Sequence, residues 1–514
     1  MGGRGNGATT EGQLRMSASH TTAVGTRPTG LRTGAQYLDD LERGERAIYI
    51  DGERVRKPAR HPAFRAGARA MAQLYDYAAD PANLDAMTFT VPETGARALR
   101  CYQIPMSLAD LRDKRIAAER WAEQTFGLMG RTPDHVGNFF TGYAAKPHVF
   151  AAGGKNFAEN LQRFYRKLRD EHLYVTYAIV PPQIDRSKPA HKQADPTLYA
   201  GVTKETDAGI YISGGQQLAT GGVYSDWLQV STIHPMQPGD EAYAFNVAIP
   251  MTAPGLKLYP RRAYALQTTN EREYPLSTRF DESDCFVALD NVFVPWEQVF
   301  VYRNLEICRD QWFKTPAHMY GNHQAQARYA TKLRFLLGLA QRMNEATGNA
   351  SVPPVQQAMG ELAAYASIVD GLLKSHEAMG EVDADGIAWP SRPSLYAMIA
   401  LQSELNPKMF EIVRELTGAG MITLPATDKE LDNPETRDDV ARYYQSSTMT
   451  ARERIALMRL AWDFIGTELA SRHLQYEKFY GGASYIMKTN MYRFYDFKRA
   501  TAMVDRALAL PPLG

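Results

Sequence analysis

The chain has 514 residues, 44% hydrophobic and 22% charged, and its 58 Lys and Arg against 57 Asp and Glu leave a formal net charge of +1. Such a composition can bury a sizeable core without staples, and it sets up no global field for nucleic acid or an anionic membrane surface. Three scattered cysteines, Cys101, Cys285 and Cys308, exclude a disulfide framework or zinc cage and read as free thiols of a reducing, cytoplasmic setting; no run approaches the ~18 apolar residues of a membrane span, and no secretory signal is visible.

Residues 1–28 are rich in Gly, Thr, Ser and Arg and lack apolar periodicity, so a disordered tail is expected there. The glycine run Gly2–Gly7 has no strand before it and no helix after it, which removes a dinucleotide loop. Order is expected from about Thr33, and residues 29–172 read as an N-terminal helical domain. Within it, Ser107 with Asp110 predicts a capped helix running to Trp121. Gly127, Gly130, Pro133 and Gly137 then mark a break from which side chains project into a site. Residues 173–300 change texture. Tyr174–Val180 is β-branched and aromatic and stops at Pro181-Pro182. Two strands are predicted around the Asp207-Ala208-Gly209 turn, with others at Ala242–Ile249 and Cys285–Leu289. No helix pattern there is long enough for parallel crossovers, so an antiparallel β domain is expected. From 301 to 514 the chain reads as a C-terminal helical bundle. Val355, Met359, Leu362, Ala366, Val369 and Leu373 predict one long amphipathic helix; Ile455, Met458, Trp462, Ile465 and Leu469 predict another.

The fold class expected is therefore mixed α and β: helices, a β domain, a helical bundle. The sequence holds no HExxH, paired CxxC, Walker loop or GxSxG elbow, and His318 and His323 are spaced so that they do not share a helical face. No metal site is expected. An enzyme whose own side chains do not advertise the chemistry is one in which an organic cofactor carries it.

Several segments resemble one family, the 4-hydroxyphenylacetate 3-hydroxylase large components with the chlorophenol and nitrophenol monooxygenases. They include Arg32–Leu38, His61–Arg65, Gly130–Asp134, Pro182–Arg186, Lys204–Gly209, Ala219–Gly221, Pro275–Glu282, Asp290–Val299 and Trp462–Gly466 with Ser471–His473. The resemblance implies an acyl-CoA dehydrogenase-like fold and the oxygenase component of a two-component monooxygenase. A separate NAD(P)H-dependent flavin reductase would supply reduced FAD as a diffusible cosubstrate. Dioxygen would add to give a C4a-hydroperoxyflavin that hydroxylates a phenol or aryl group, ortho to its hydroxyl. It also implies site residues: Arg131 matches the family arginine that contacts the substrate hydroxyl. His135 stands where the hydroxyphenylacetate enzymes carry a tyrosine, and Tyr177 where they carry a histidine. Gln183, Ile184, Asp185, Arg186 and Thr220 fall on the flavin pattern. Arg472, His473 and Tyr476 would close the FAD site, and Ser231–Gln237 matches a mobile substrate loop without the family's typical sequence. The two amphipathic helices, with Ile486, Met487, Met491 and Phe494 late in the chain, lead us to expect a homotetramer. The competing expectations are an acyl-CoA dehydrogenase-type flavoenzyme, a dehydratase with an iron–sulfur cluster, for which the cysteine spacing is wrong, and a non-catalytic flavin-binding protein of the same fold.

Overall fold

Local hydrogen bonding starts the first helices. Thr33 accepts from the Gln36 N–H at 3.2 Å and Gln36 Oε1 accepts from the Thr33 N–H at 2.9 Å, closing a capping box on Gly34–Leu41. Ser107 and Asp110 close the same box on the expected helix, which runs Leu108–Gln124. The computed structural model describes residues 30–266 and 270–510; the expected tail, residues 1–28, lies outside them.

The expected break after Gln124 is shorter than its glycines imply. Phe126 and Gly127 take φ of 54° and 70°, but Pro133 then opens a helix, Pro133–Ala145, that passes straight through Gly137. Here the glycines allow close approach. A Cβ on Gly142 would sit 2.3 Å from the Ala317 backbone, and one on Gly137 3.2 Å from the Tyr102 ring. The helix therefore sinks until every residue but Ala145 is buried, packed along the 31-residue helix Ala317–Thr347.

Two sheets follow. The six-stranded sheet has the order Glu53–Val55, Ile48–Ile50, Leu256–Pro260, Asp284–Pro295, Gly209–Thr220, Gly201–Thr206. The four-stranded sheet has the order Val299–Tyr302, Phe245–Pro250, Trp227–Val230, Val175–Ala178. The turn at Asp207-Ala208-Gly209 joins an antiparallel hairpin, as its sequence predicts. Two pairings correct the purely antiparallel expectation. Val175–Ala178 runs parallel to Trp227–Val230, and Ile48–Ile50 pairs in parallel with Leu256–Pro260. Parallel neighbours need a crossover, but it need not be a helix. Between Ala178 and Trp227 the chain leaves the smaller sheet, builds the hairpin of the larger one, and returns. The larger sheet also takes two strands from before residue 60.

The C-terminal part packs Ala317–Thr347 against Pro353–Ala378 and Arg392–Thr417. The single helix expected through Ile455 and Leu469 is instead two, Ala451–Ile465 and Glu468–Phe479, interrupted at Gly466. One continuous apolar core reaches from Tyr37 through both sheets to Leu469. Late in the chain, Met487, Met491 and Phe494 pack against Tyr396 and Ile399 of the same chain.

Candidate active site

The short segment before Pro133 is held from three sides. Arg131 N–H donates to Glu282 Oε1 at 2.5 Å, and the Arg131 carbonyl accepts from the Tyr174 hydroxyl. The guanidinium donates to the Tyr476 hydroxyl at 2.6 Å and sits 5.3, 5.4 and 5.0 Å from the ring centroids of Tyr177, Tyr476 and Tyr480. Burial opposes its charge, but the surrounding tyrosine hydroxyls and Glu282 outweigh that cost and leave its pKa raised. The result is a buried cation walled by aromatic faces.

His135 lies one turn further on and is fully buried. Its Nδ1 is 2.9 Å from Gln324 Oε1 and its Nε2 is 3.5 Å from the Tyr177 hydroxyl. Phe139, Tyr177 and Tyr480 present their rings edge-on to it. Burial, reinforced by Arg131, pushes its pKa well below the ordinary histidine value, so the ring is neutral. Tyr177 reaches the group from the strand Val175–Ala178. Arg131, His135 and Tyr177, far apart in sequence, thus meet in one cluster.

Arg472, His473 and Tyr476 come to the same cluster from the helix Glu468–Phe479. Arg472 pairs with Glu282 at 2.7 Å and with Asp284 at 2.7 and 3.0 Å. Arg261 holds Asp284 from the other side at 2.9 Å, and Thr220 donates to it at 2.6 Å. Burial works against the Asp284 charge, yet these partners hold its carboxyl well below the usual range. His473 is buried with neither ring nitrogen hydrogen-bonded. Burial first, then Lys332, Arg472, Arg328 and Arg261, depress its pKa. The adjacent Glu477 is fully paired: Arg328 bonds it at 2.9 Å, Lys332 at 3.1 Å and Gln402 at 2.6 Å.

Gln183, Ile184, Asp185 and Arg186 do not join the cluster. They lie on the loop after Pro181-Pro182, with Gln183 and Arg186 exposed and Ile184 51% exposed. Asp185 is occupied by Ser187 at 2.6 Å and Lys188 at 3.0 Å. The loop is fixed to the larger sheet where Pro182 and Phe286 both crowd Gly215. Leu218 and Phe286, 54% and 39% exposed, present apolar surface on neighbouring strands there. Two exposed apolar side chains, exposed polar side chains on the adjoining loop and the unpartnered nitrogens of His473 are groups that suit a flavin's ring and its polar edge and phosphates. In the segment Ser231–Gln237, Ser231 and Thr232 are buried, tied by bonds to Phe245 and from Trp312, Met236 packs on the core, and Ile233, His234, Pro235 and Gln237 face outward.

Several partners that carry this geometry had no role assigned from sequence, among them Glu282, Gln324, Glu477 and Tyr480. Glu282 lies inside a family-like segment and was legible as a position. Gln324 gave no signal, because every residue from Met319 through Leu333 is buried and that stretch of the helix shows no amphipathic face.

Helices before and after a pair of sheets make the acyl-CoA dehydrogenase-like class of fold. A solved 4-hydroxybutyryl-CoA dehydratase from N. maritimus, 19% identical, superposes with a TM-score of 0.85 over 94% of this chain and 96% of its own, which speaks for the fold alone. Within that class the chain belongs to the 4-hydroxyphenylacetate 3-hydroxylase family: the family's N-terminal model matches residues 33–301 and its C-terminal model residues 308–509. The 4-hydroxyphenylacetate 3-monooxygenase oxygenase component of Thermus thermophilus is 34% identical, covering 90% of this chain and 95% of its own length. A monooxygenase of Streptomyces globisporus named for a carrier-bound (3S)-3-amino-3-(3-chloro-4-hydroxyphenyl)propanoyl group is 32% identical, covering 92% and 88%. The crystal structure of a 4-hydroxyphenylacetate 3-monooxygenase oxygenase component complexed with FAD and 4-hydroxyphenylacetate is 33% identical, with a TM-score of 0.88 over 93% of this chain and 98% of that one.

Proposed function

We propose that this chain is the oxygenase component of a two-component monooxygenase that uses reduced FAD and dioxygen to hydroxylate a phenol ortho to its hydroxyl. The observation that carries the reading is the buried, charged Arg131 at the end of an aromatic-walled cluster. Reduced FAD, when bound, supplies the oxygen-activating chemistry. Gln183, Ile184, Asp185, Arg186 and Thr220 would hold it, with Arg472, His473 and Tyr476 closing the site. Arg131 would hold the phenol oxygen and favour its ionised form, which makes the ortho carbon nucleophilic. The rings of Phe139, Tyr177 and Tyr480 would keep water from the reacting atoms. A dehydrogenase of this fold would need a free carboxylate as base. The buried carboxylates around the cluster are all engaged: Glu282 and Asp284 by arginines, Glu477 by Arg328, Lys332 and Gln402, and Asp134 by Thr132 and Gln324.

The test is oxygen uptake with chemically reduced FAD against a panel of free phenols, phenolic acids, aromatic amino acids and carrier-bound aryl groups. Ring hydroxylation is expected with one class and none without reduced FAD, and NADH is not oxidised by the chain alone. Direct NADH oxidation would overturn the division of labour with a separate reductase.

The same reading includes a cytoplasmic homotetramer. Pro353–Ala378 buries only Leu362, Val369, Leu373, His376 and Glu377 and leaves Ile368 46% exposed. Such an outward face suits contact with another copy. Light scattering is expected to give four subunits at micromolar concentration; a monomer would refute it.

A further inference from the structure

His135 is held by a hydrogen-bond chain whose direction is set at its far end. Asp134 accepts at Oδ1 from the Thr132 hydroxyl and from Gln324 Nε2, the latter at 3.1 Å. Burial raises the Asp134 pKa to about 6, so at mildly alkaline pH it is a carboxylate, which can only accept, and Gln324 must turn its amide NH2 toward it. The Gln324 carbonyl oxygen is then left facing His135 Nδ1, which must carry the proton. Nε2 is the lone-pair nitrogen, and it looks into the Arg131 cluster. Its present partner, the Tyr177 hydroxyl at 3.5 Å, is at the outer limit of a hydrogen bond. All of Asp134, His135 and Gln324 are at least nine-tenths buried, so water does not scramble the order.

Resting on the phenol reading above, we propose that Gln324 and Asp134 are positioning residues that lock His135 in its Nδ1–H tautomer and so present Nε2 as an acceptor for the substrate hydroxyl. Arg131 then donates to the phenol oxygen while His135 accepts the phenol proton, two opposite roles on one O–H group. The phenol then binds with its O–H intact, and Arg131 stabilises the negative charge that grows on its oxygen as the proton shifts toward Nε2 during attack on the ring. A tyrosine in place of His135 could donate or accept. The locked histidine only accepts, and it selects substrates that arrive with an intact O–H or N–H donor.

The tautomer can be read in the free protein by nitrogen-15 NMR of histidine-labelled chain at mildly alkaline pH. The signals of His135 among the eleven histidines are identified by their loss in His135→Asn. The wild type is expected to show a protonated Nδ1 and a bare Nε2. Gln324→Leu should lose that preference and lower hydroxylated product per oxygen consumed by on the order of 10-fold, the scale of one hydrogen bond. The paired exchange Gln324→Glu with Asp134→Asn keeps an acceptor facing Nδ1 and a donor at the far end, and should restore both. A proton on Nε2 in the wild type overturns the proposal. So does a Gln324→Leu protein that keeps the Nδ1–H tautomer, or an exchange variant that fails to regain it. If no phenol is hydroxylated by the wild type, the functional reading falls, while the tautomer measured in the free chain still decides the lock.

Discussion

The Arg131 cluster and the Gln183–Arg186 loop differ in nearly every physical respect, although both fall in segments that resemble the family. The first is built before any ligand arrives: its cation, its neutral histidine and its tyrosines are buried and mutually bonded. The second is polar, exposed and bonded mainly to itself. In the functional reading proposed for the chain, the contrast has a reason. A reacting centre must be preorganised, since reorganising dipoles during the reaction would cost rate. A cosubstrate that arrives and leaves at each turnover is better served by side chains that remain in water until it binds.

That contrast can be broken or sharpened by substitution. The largest effect is expected at Glu477, which anchors the helix carrying Arg472, His473 and Tyr476. Removing its charge strands Arg328 and Lys332 in the interior, and Glu477→Gln should cost about 3–5 kcal/mol, read as a lowered Tm. Burial opposes its ionisation, but Arg328 and Lys332 hold its pKa at about 2, below the ordinary 4.5. A depressed carboxylate contributes stability that is present above the ordinary value and lost as pH falls through the folded one. The wild type should therefore lose Tm between about pH 4.5 and 2, and Glu477→Gln should flatten that part of the curve. An unchanged acid limb would show that the pair is not what ties the helix down.

Next in size is Arg131→Ala. It should still consume oxygen with reduced FAD but lose hydroxylation by on the order of 10²-fold, about 2.7 kcal/mol, with hydrogen peroxide made instead. Arg131→Lys should recover only part, since a point charge does not reproduce the planar donor fork. Unchanged product in Arg131→Ala would make the arginine structural and move the role to His135 or Tyr177. The smallest effect is expected on the exposed loop. Arg186→Ala should raise the Kd for reduced FAD by about 10-fold, the scale of one charge-assisted contact, and leave Tm where it was. A Tm loss there would erase the distinction between a prebuilt region and an open one.

The sequence carried the parts of this molecule whose signals are local. The Ser107 cap, the turn at Asp207-Ala208-Gly209 and the strand Val175–Ala178 ahead of Pro181 each depend on a few neighbouring residues. So did the meeting of Arg131, His135 and Tyr177, through resemblance. What the sequence hid is non-local. Gly137 reads as part of a break, but it and Gly142 are gaps into which Tyr102 and Ala317 fit. Gln324 sits on the stretch Met319–Leu333, which is buried on all sides, and its partner Asp134 is nearly two hundred residues away. The parallel pairing of Val175–Ala178 with Trp227–Val230 escaped because its crossover is a hairpin in another sheet, which no helical periodicity announces, and that of Ile48–Ile50 with Leu256–Pro260 because most of two domains separates the strands.

That crossover bears on how the chain reaches its structure. The strands Val175–Ala178 and Trp227–Val230 are hydrogen-bonded neighbours, yet the two-stranded hairpin between them belongs to the other sheet. Closing the smaller sheet means closing a loop of about fifty residues, and that closure entropy falls only when the hairpin docks on Asp284–Pro295, later still in the chain. Neither sheet is complete without the other, so the β region has no stable half. Its folding should be slow for its size and all-or-none, governed by contacts distant in sequence, and a nick at the Thr206–Gly209 turn would unravel two sheets where the surface shows only one loop.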